Sequence, residues 1–243
     1  MIELISLGAL IGILSGFFGI GGGTILIPLL LVLGYETKVA IGMSIIQMLF
    51  SSIYGSYLNY KKGNLEFTII MTIGSGGFIG AFFSGFLSSV LSDLVLESIF
   101  LFFVLFALIR MFYAAERENQ KENINKITLF IIGLLIGLFS MTIGVGGSIM
   151  LVPILVGFFH IKLKKAIAAG LFFVVFSSLS GFISHYIHSD MDLKNGVIIG
   201  VASLVGVFVG VHLKDTVNVK LQKNLLVGFY LAIVIYLSQR IFF

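Results

Sequence analysis

The chain has 243 residues, 58% of them hydrophobic and 11% charged, with a net charge of +4, no cysteine and a mean hydropathy of +1.15. A soluble domain carries about 25% charged residues, so the composition defines a polytopic integral membrane protein. The missing cysteines exclude disulfides and thiolate metal sites. The four histidines have no ligand spacing, and the chain offers no intramembrane carboxylate pair, nucleophile–base arrangement, cofactor motif or basic soluble domain. No catalytic residue, metal, cofactor or nucleic-acid partner is therefore expected.

The expected fold is all-α. Uncharged runs such as 39–60, 67–92 and 127–159 exceed the ~18 apolar residues that mark a membrane span. Eight apolar segments are drawn at about 4–33, 39–58, 67–91, 94–114, 127–159, 164–186, 195–213 and 220–240. The first lacks the basic n-region of a cleavable signal and is kept in the mature fold. Residues 115–126 (AERENQKENINK) form a charged linker between a first membrane repeat, 1–114, and a second, 127–243.

The halves repeat one another. At a displacement of 125, Gly12, Ser15, Gly19, Gly21, Gly22 and Pro28 meet Gly137, Ser140, Gly144, Gly146, Gly147 and Pro153. At 126, Lys38, Ser51, Ser52, Gly55, Gly74 and Gly80 meet Lys164, Ser177, Ser178, Gly181, Gly200 and Gly206. The two prolines of the chain are thus a matched pair, and the duplication covers nearly all of it.

Segments one and five each run about 30 residues, or roughly 45 Å as one helix, against a hydrocarbon core of about 30 Å. Either each crosses with a steep tilt, or each enters and returns at its glycines. Eight crossings would put eight Lys and Arg residues on one side and seven on the other. Re-entrant first and fifth segments leave Lys38, Lys194 and Arg240 on one side and the remaining twelve on the other. The second split has the cytoplasmic bias of real membrane proteins. Each half then has a broken hairpin plus three crossings, which makes the halves inverted repeats with both termini outside and the linker in the cytoplasm. That is an architecture of many secondary transporters.

Bent backbone at membrane depth must line a cavity or be buried in protein. The clusters at Gly19, Gly21, Gly22, Gly23 and at Gly144, Gly146, Gly147 allow such a bend, with Gly19, Pro28 and Pro153 breaking the helices. A short helix follows each cluster, 24–33 and 148–159. Two such N-termini meeting at mid-membrane would hold an anion without a fixed cation. Thr24 and Ser148 sit where a hydroxyl caps the helix or touches the ligand. On the next helix Ser44, Gln47 and Ser51 share a face, with Ser177 matching Ser51 and Phe173 standing where the first half has Gln47. His185, opposite Asn59 in the repeat, is the candidate for proton coupling near an interface. His160, His188 and His212 fall at loop edges, as do Glu36, Glu66, Asp190 and Asp192.

GFFGIGGGTILIPLL at 16–30, its echo IGVGGSIMLVPIL at 143–155, AIGMS at 40–44 and KKGNLEF at 61–67 resemble the TauE/SafE sulfite exporter family, also called toluene sulfonate uptake permeases. The resemblance implies a permease of the prokaryotic cytoplasmic membrane for sulfur-containing anions such as sulfite, sulfonates or sulfoacetate. It implies functional roles for Gly21, Gly22 and Gly23 with Pro28, and for Gly144, Gly146 and Gly147 with Pro153. Ser148 replaces the last glycine of the second cluster, and Asn59 stands where the family often has histidine. The expected function is secondary transport of a small anion by alternating access, with protons as a coupling ion. The alternatives are a passive anion channel or an accessory subunit, and the oligomeric state stays open. Single Lys38→Cys and Lys162→Cys variants should react with an impermeant thiol reagent from opposite sides of the membrane. Labelling of both from one side would end the inverted-repeat topology.

Overall fold

The computed structural model describes residues 2–62, 67–113, 125–189 and 191–242. The expected linker lies almost wholly outside the described residues, as do Glu66, Asp190 and the centre of KKGNLEF. Every regular element among the described residues is an α-helix. The first repeat contains α1 (Ile2–Phe18), α2 (Gly23–Val32), α3 (Thr37–Lys61), α4 (Phe67–Ala81), α5 (Ser84–Val90) and α6 (Asp93–Tyr113). The second contains α7 (Lys126–Thr142), α8 (Ser148–Gly157), α9 (Leu163–His188), α10 (Leu193–Thr216) and α11 (Val219–Phe242).

Six stretches are long and apolar enough to cross a membrane: α3, Ile70–Val90 across α4 and α5, α6, α9, α10 and α11. The helices of segments one and five are shorter, with 17 residues in α1 and α7 and 10 in α2 and α8. Ten helical residues rise about 15 Å, half a hydrocarbon core. The eight segments of the sequence thus become eleven helices, because three of the segments break. Two breaks fall at the glycine clusters. The third, at Phe82 and Phe83, lies between Gly80 and Gly85, neither of which has a positive φ, and has no counterpart in the continuous α10. There the amide of Gly85 is taken up by Ser184 Oγ at 2.9 Å, so a side chain on α9 satisfies a donor that the break exposes.

Glycine decides which helices touch. Gly8, Gly12 and Gly16 place one bare face of α1 against Ile199, Ser203 and Val207 of α10, while Gly206 and Gly210 receive Ala9 and Ile13 in return. A methyl at Gly16 would lie 2.7 Å from the Val207 carbonyl oxygen. The second half repeats this contact, with Gly133 and Gly137 of α7 against Ile73 and Gly77 of α4, and Gly76 and Gly80 against Phe130 and Leu134. Backbones approach this closely only where small residues line the seam. Each half lends its first helix to the other, so the two share one core.

The same contacts give directions. Residue numbers rise together along α1 and α10, and again along α3 and α10, where Ile46, Phe50 and Gly55 meet Gly196, Gly200 and Val207. Along α2 they run opposite to α3, with Gly22 beside Gln47 and α2 leading back to the start of α3. Helices α1 and α2 therefore form a helical hairpin. Most large apolar side chains of α2 and α8 are buried, whereas Ile2, Ile5 and Leu10 of α1 and Phe102, Phe112, Ile187 and Val205 of the outer helices lie exposed, as a lipid-facing belt requires. Gly228, on α11, has nothing within 4 Å of an added methyl. Gly228→Ala should raise stability by about 0.5–1 kcal/mol, while Gly206→Ala, which drives a methyl into the α1 backbone, should lower the melting temperature in detergent.

Candidate functional site

The two glycine turns lie back to back at the centre of the bundle. Gly19, Gly21 and Gly22 have φ of 71°, 74° and 82°, and Gly144, Gly146 and Gly147 have 69°, 76° and 78°. L-residues avoid these angles, so the repeated glycines encode one repeated turn. Gly22 and Gly147 are the N-cap residues of α2 and α8. The turns pack directly, since a methyl on Gly23 would strike the carbonyl oxygen of Gly144. Met48 on α3 and Val174 on α9, equivalent positions of the repeat, both press on Gly21 and on Gly146.

Hydrogen bonds fix the turns from the flanking helices. Ser44 Oγ donates to Gly144 O at 2.7 Å, and Ser177 Oγ donates to Gly146 O at 3.2 Å. Both bonds end on the second turn, which is thus tied to α3 of the first half and to α9 of its own. What remains is a set of donors. The first intrahelical bonds of α2 come from Ile25 and Leu26 to Gly22 O, and those of α8 from Met150 and Leu151 to Gly147 O. The amides of Gly23, Thr24, Ser148 and Ile149 precede them and have no acceptor among the described residues. The side chains beside them are equally unpaired: Thr24 Oγ1, Ser148 Oγ and both polar atoms of Gln47 are buried without a hydrogen-bond partner. The Gln47 amide touches the space over Gly22. A ring edge of Phe173 fills the matching space over Gly147, so the site is built mainly around the first turn.

Several sequence expectations change. Neither Thr24 nor Ser148 caps its helix through its side chain. Gly23 is the first residue of α2 and carries no positive φ. Pro28 and Pro153 lie inside α2 and α8, not at the breaks. Lacking an N–H, each instead frees the carbonyl four residues earlier, Thr24 or Ile149. Ser51 donates to Met48 O of its own helix at 3.3 Å, away from the free amides. His185, in the last turn of α9, is buried within the protein, with Nε2 3.1 Å from Met141 O just before the second turn. His188 and His212 are exposed and His160 is partly buried. The sequence reading missed Met48 and Val174, which look like any apolar helix residue until the turns are brought together.

A bundle of membrane-crossing helices with two broken, donor-lined turns at its centre, and no reactive group among the side chains there, has the layout of a membrane transporter. The sulfite exporter TauE/SafE family model matches residues 4–237, and the chain belongs to that family. Its relatives include the probable membrane transporter protein YunE of Bacillus subtilis, 26% identical over 92% of this chain and 90% of that protein. YdhB of the same organism, also a probable membrane transporter protein, is 28% identical over 83% of this chain and 85% of its own length. A third, MJ0441 of Methanocaldococcus jannaschii, is 30% identical over 75% and 71%. No solved structure matches the chain. The family and these relatives are named as membrane transporters, not enzymes.

A buried carboxamide with no partner costs about 1–3 kcal/mol. Gln47→Leu should therefore raise the anion-free melting temperature while removing the response of that temperature to substrate. A variant that melts lower, with its ligand response intact, would show Gln47 to be a packing residue.

Proposed function

We propose that this multi-pass protein is a secondary transporter of small anions, with sulfur-containing oxyanions such as sulfite, sulfonates and sulfoacetate as its substrate class. The observation that carries the reading is the group of free donors at the facing ends of α2 and α8. Four unpaired amides, two hydroxyls and one carboxamide converge where both helix dipoles are positive, and no carboxylate stands among them. Such a site favours a compact ion whose negative charge is spread over several oxygens. Its lack of a fixed cation makes binding moderate, which suits an ion that must also leave.

In this reading the halves are inverted repeats. The support is that contacts climb α3 as they descend α9: Met48 and Val174 share a level, while Gly55 meets Leu171. Each of α1–α2 and α7–α8 enters and leaves the membrane on one side, with both termini outside and the linker in the cytoplasm. One repeat rocks against the other along the α1–α10 and α4–α7 seams to expose the turns alternately. Met48 and Val174, which fill the centre, argue against a continuously open anion channel. His185, hydrogen-bonded to the residue leading into the second turn, is the group through which a proton would act.

The test is the melting temperature of the purified protein against sulfite, sulfate, thiosulfate, short sulfonates, acetate and chloride, paired with uptake into proteoliposomes. A ligand at 100 times its dissociation constant stabilises by about 2.7 kcal/mol. Wild type should respond to a sulfur oxyanion and transport it. The near-isosteric Thr24→Val, Ser148→Ala double variant should stay folded and lose both properties. Transport at the wild-type rate in that variant would remove the turns from the mechanism.

A further inference from the structure

The glycine turns carry no formal charge, yet a buried cation lies close to one of them and has no part in the site described above. Lys214, in the last turn of α10, is fully buried, alone in this among the lysines and arginines of the described residues. Gly12 meets Ser203 and Gly16 meets Val207 and Val211. Continued to Gly19, where the first turn begins, that register reaches Gly210 and Val211, and Lys214 stands about one helical turn further along α10.

The ammonium of Lys214 donates to Asn59 Oδ1, and the Asn59 amide nitrogen is itself held by Gly55 O at 2.8 Å. Asn59 is the one hydrogen-bond partner of that ammonium among the described residues, which leaves two of its three protons free. The neighbouring carboxylate makes no hydrogen bond to it. Asp215 Oδ2 accepts from Lys62 at 2.5 Å, and its backbone oxygen accepts from Lys164 at 3.2 Å. Lys62, Lys164 and Asp215 are the charged groups that act on Lys214, so Lys214 and its charged neighbours make three cations and one anion. A second buried group nearby is also incomplete. Gln222 of α11 donates to Phe17 O at the end of α1 at 2.7 Å, while its Oε1 is buried without a partner.

A buried ammonium held by one neutral amide is a costly arrangement unless an anion answers it. We propose that Lys214, positioned by Asn59, is a second anion-binding position, a loading site that takes a small oxyanion on its way to the glycine turns. Asp215 is the carboxylate that competes with the anion for Lys214, and Lys62, by holding it, keeps it from filling the site. The inference rests on the anion reading of the central site, but it assigns a residue and a place that the glycine turns do not need. In the proposed topology this end faces the cytoplasm, so the position receives anions bound outward and releases those bound inward.

The experiment titrates sodium sulfite and sodium sulfate into the purified full chain in a sodium gluconate background of constant ionic strength, with melting temperature as the readout. Lys214→Met should melt at or above the anion-free wild type and bind at least tenfold more weakly. Lys214→Arg should stay within threefold of wild type. Asp215→Asn removes the competing charge and should bind at least threefold more tightly, a gain that a merely damaged fold cannot produce. Wild-type affinity in Lys214→Met, or an affinity no higher than wild type in Asp215→Asn, overturns the loading site and leaves the central site standing. No shift of the wild-type protein with either anion overturns both together.

Discussion

A chain that bends inside hydrocarbon must give every amide it frees either a partner or a shelter. The protein is arranged around two places where it does this incompletely. At Gly19–Gly22 and Gly144–Gly147 the backbone takes angles open only to glycine, and Ser44 and Ser177 accept the job of holding two of the turn carbonyls. The amides at the heads of α2 and α8 are sheltered but not paired. Long helices α3 and α9 run past the turns, and the close glycine seams hold the outer helices around them. The same donors that are a cost to the empty fold are the groups able to recognise an anion. Stability and recognition are thus set against each other at one point in the chain.

Much of this is legible in the sequence because glycine and proline act locally. The two clusters, displaced by 125, mark both turns, and the uncharged runs mark the crossing helices. Membership of the transporter family follows from the same residues. Local signals fail where the cause is a contact between distant parts. The break at Phe82 depends on Ser184, a hundred residues away, which takes the Gly85 amide. Pro28 and Pro153 suggest breaks but are accommodated inside short helices, where losing one bond is tolerated. Lys214 stands just past an uncharged run and reads as an ordinary interfacial lysine. Only the packing of α1 and α3 on α10 buries it.

At the two turns the duplication is faithful in its backbone and free in its side chains. Both turns share their angles to within about ten degrees, yet Gln47 faces Phe173 across the repeat, Asn59 faces His185, and Lys214 falls opposite Ser88. Gln47, with its free amide, lies on the first half, whereas Lys214, whose ammonium Asn59 holds, lies on the second. The geometry that bends the membrane helices therefore comes from symmetry, and the chemistry that would choose a ligand comes from its loss.

The exchange of first helices has a consequence for biogenesis. Helix α1 finds its seam on α10, about 190 residues later in the chain, and the glycines that make the seam leave α1 with little side-chain bulk to bind anything else. As the first half leaves the ribosome, α1 and α2 emerge with α3 to pack on but with the α10 seam not yet made. They must be held at the insertion machinery, or wait at the membrane surface, until the second half has entered. Such long-range closure makes assembly slow and late. Neither half would form a stable product alone, and a gene split at the linker would yield two fragments that each need the other to be sealed against lipid.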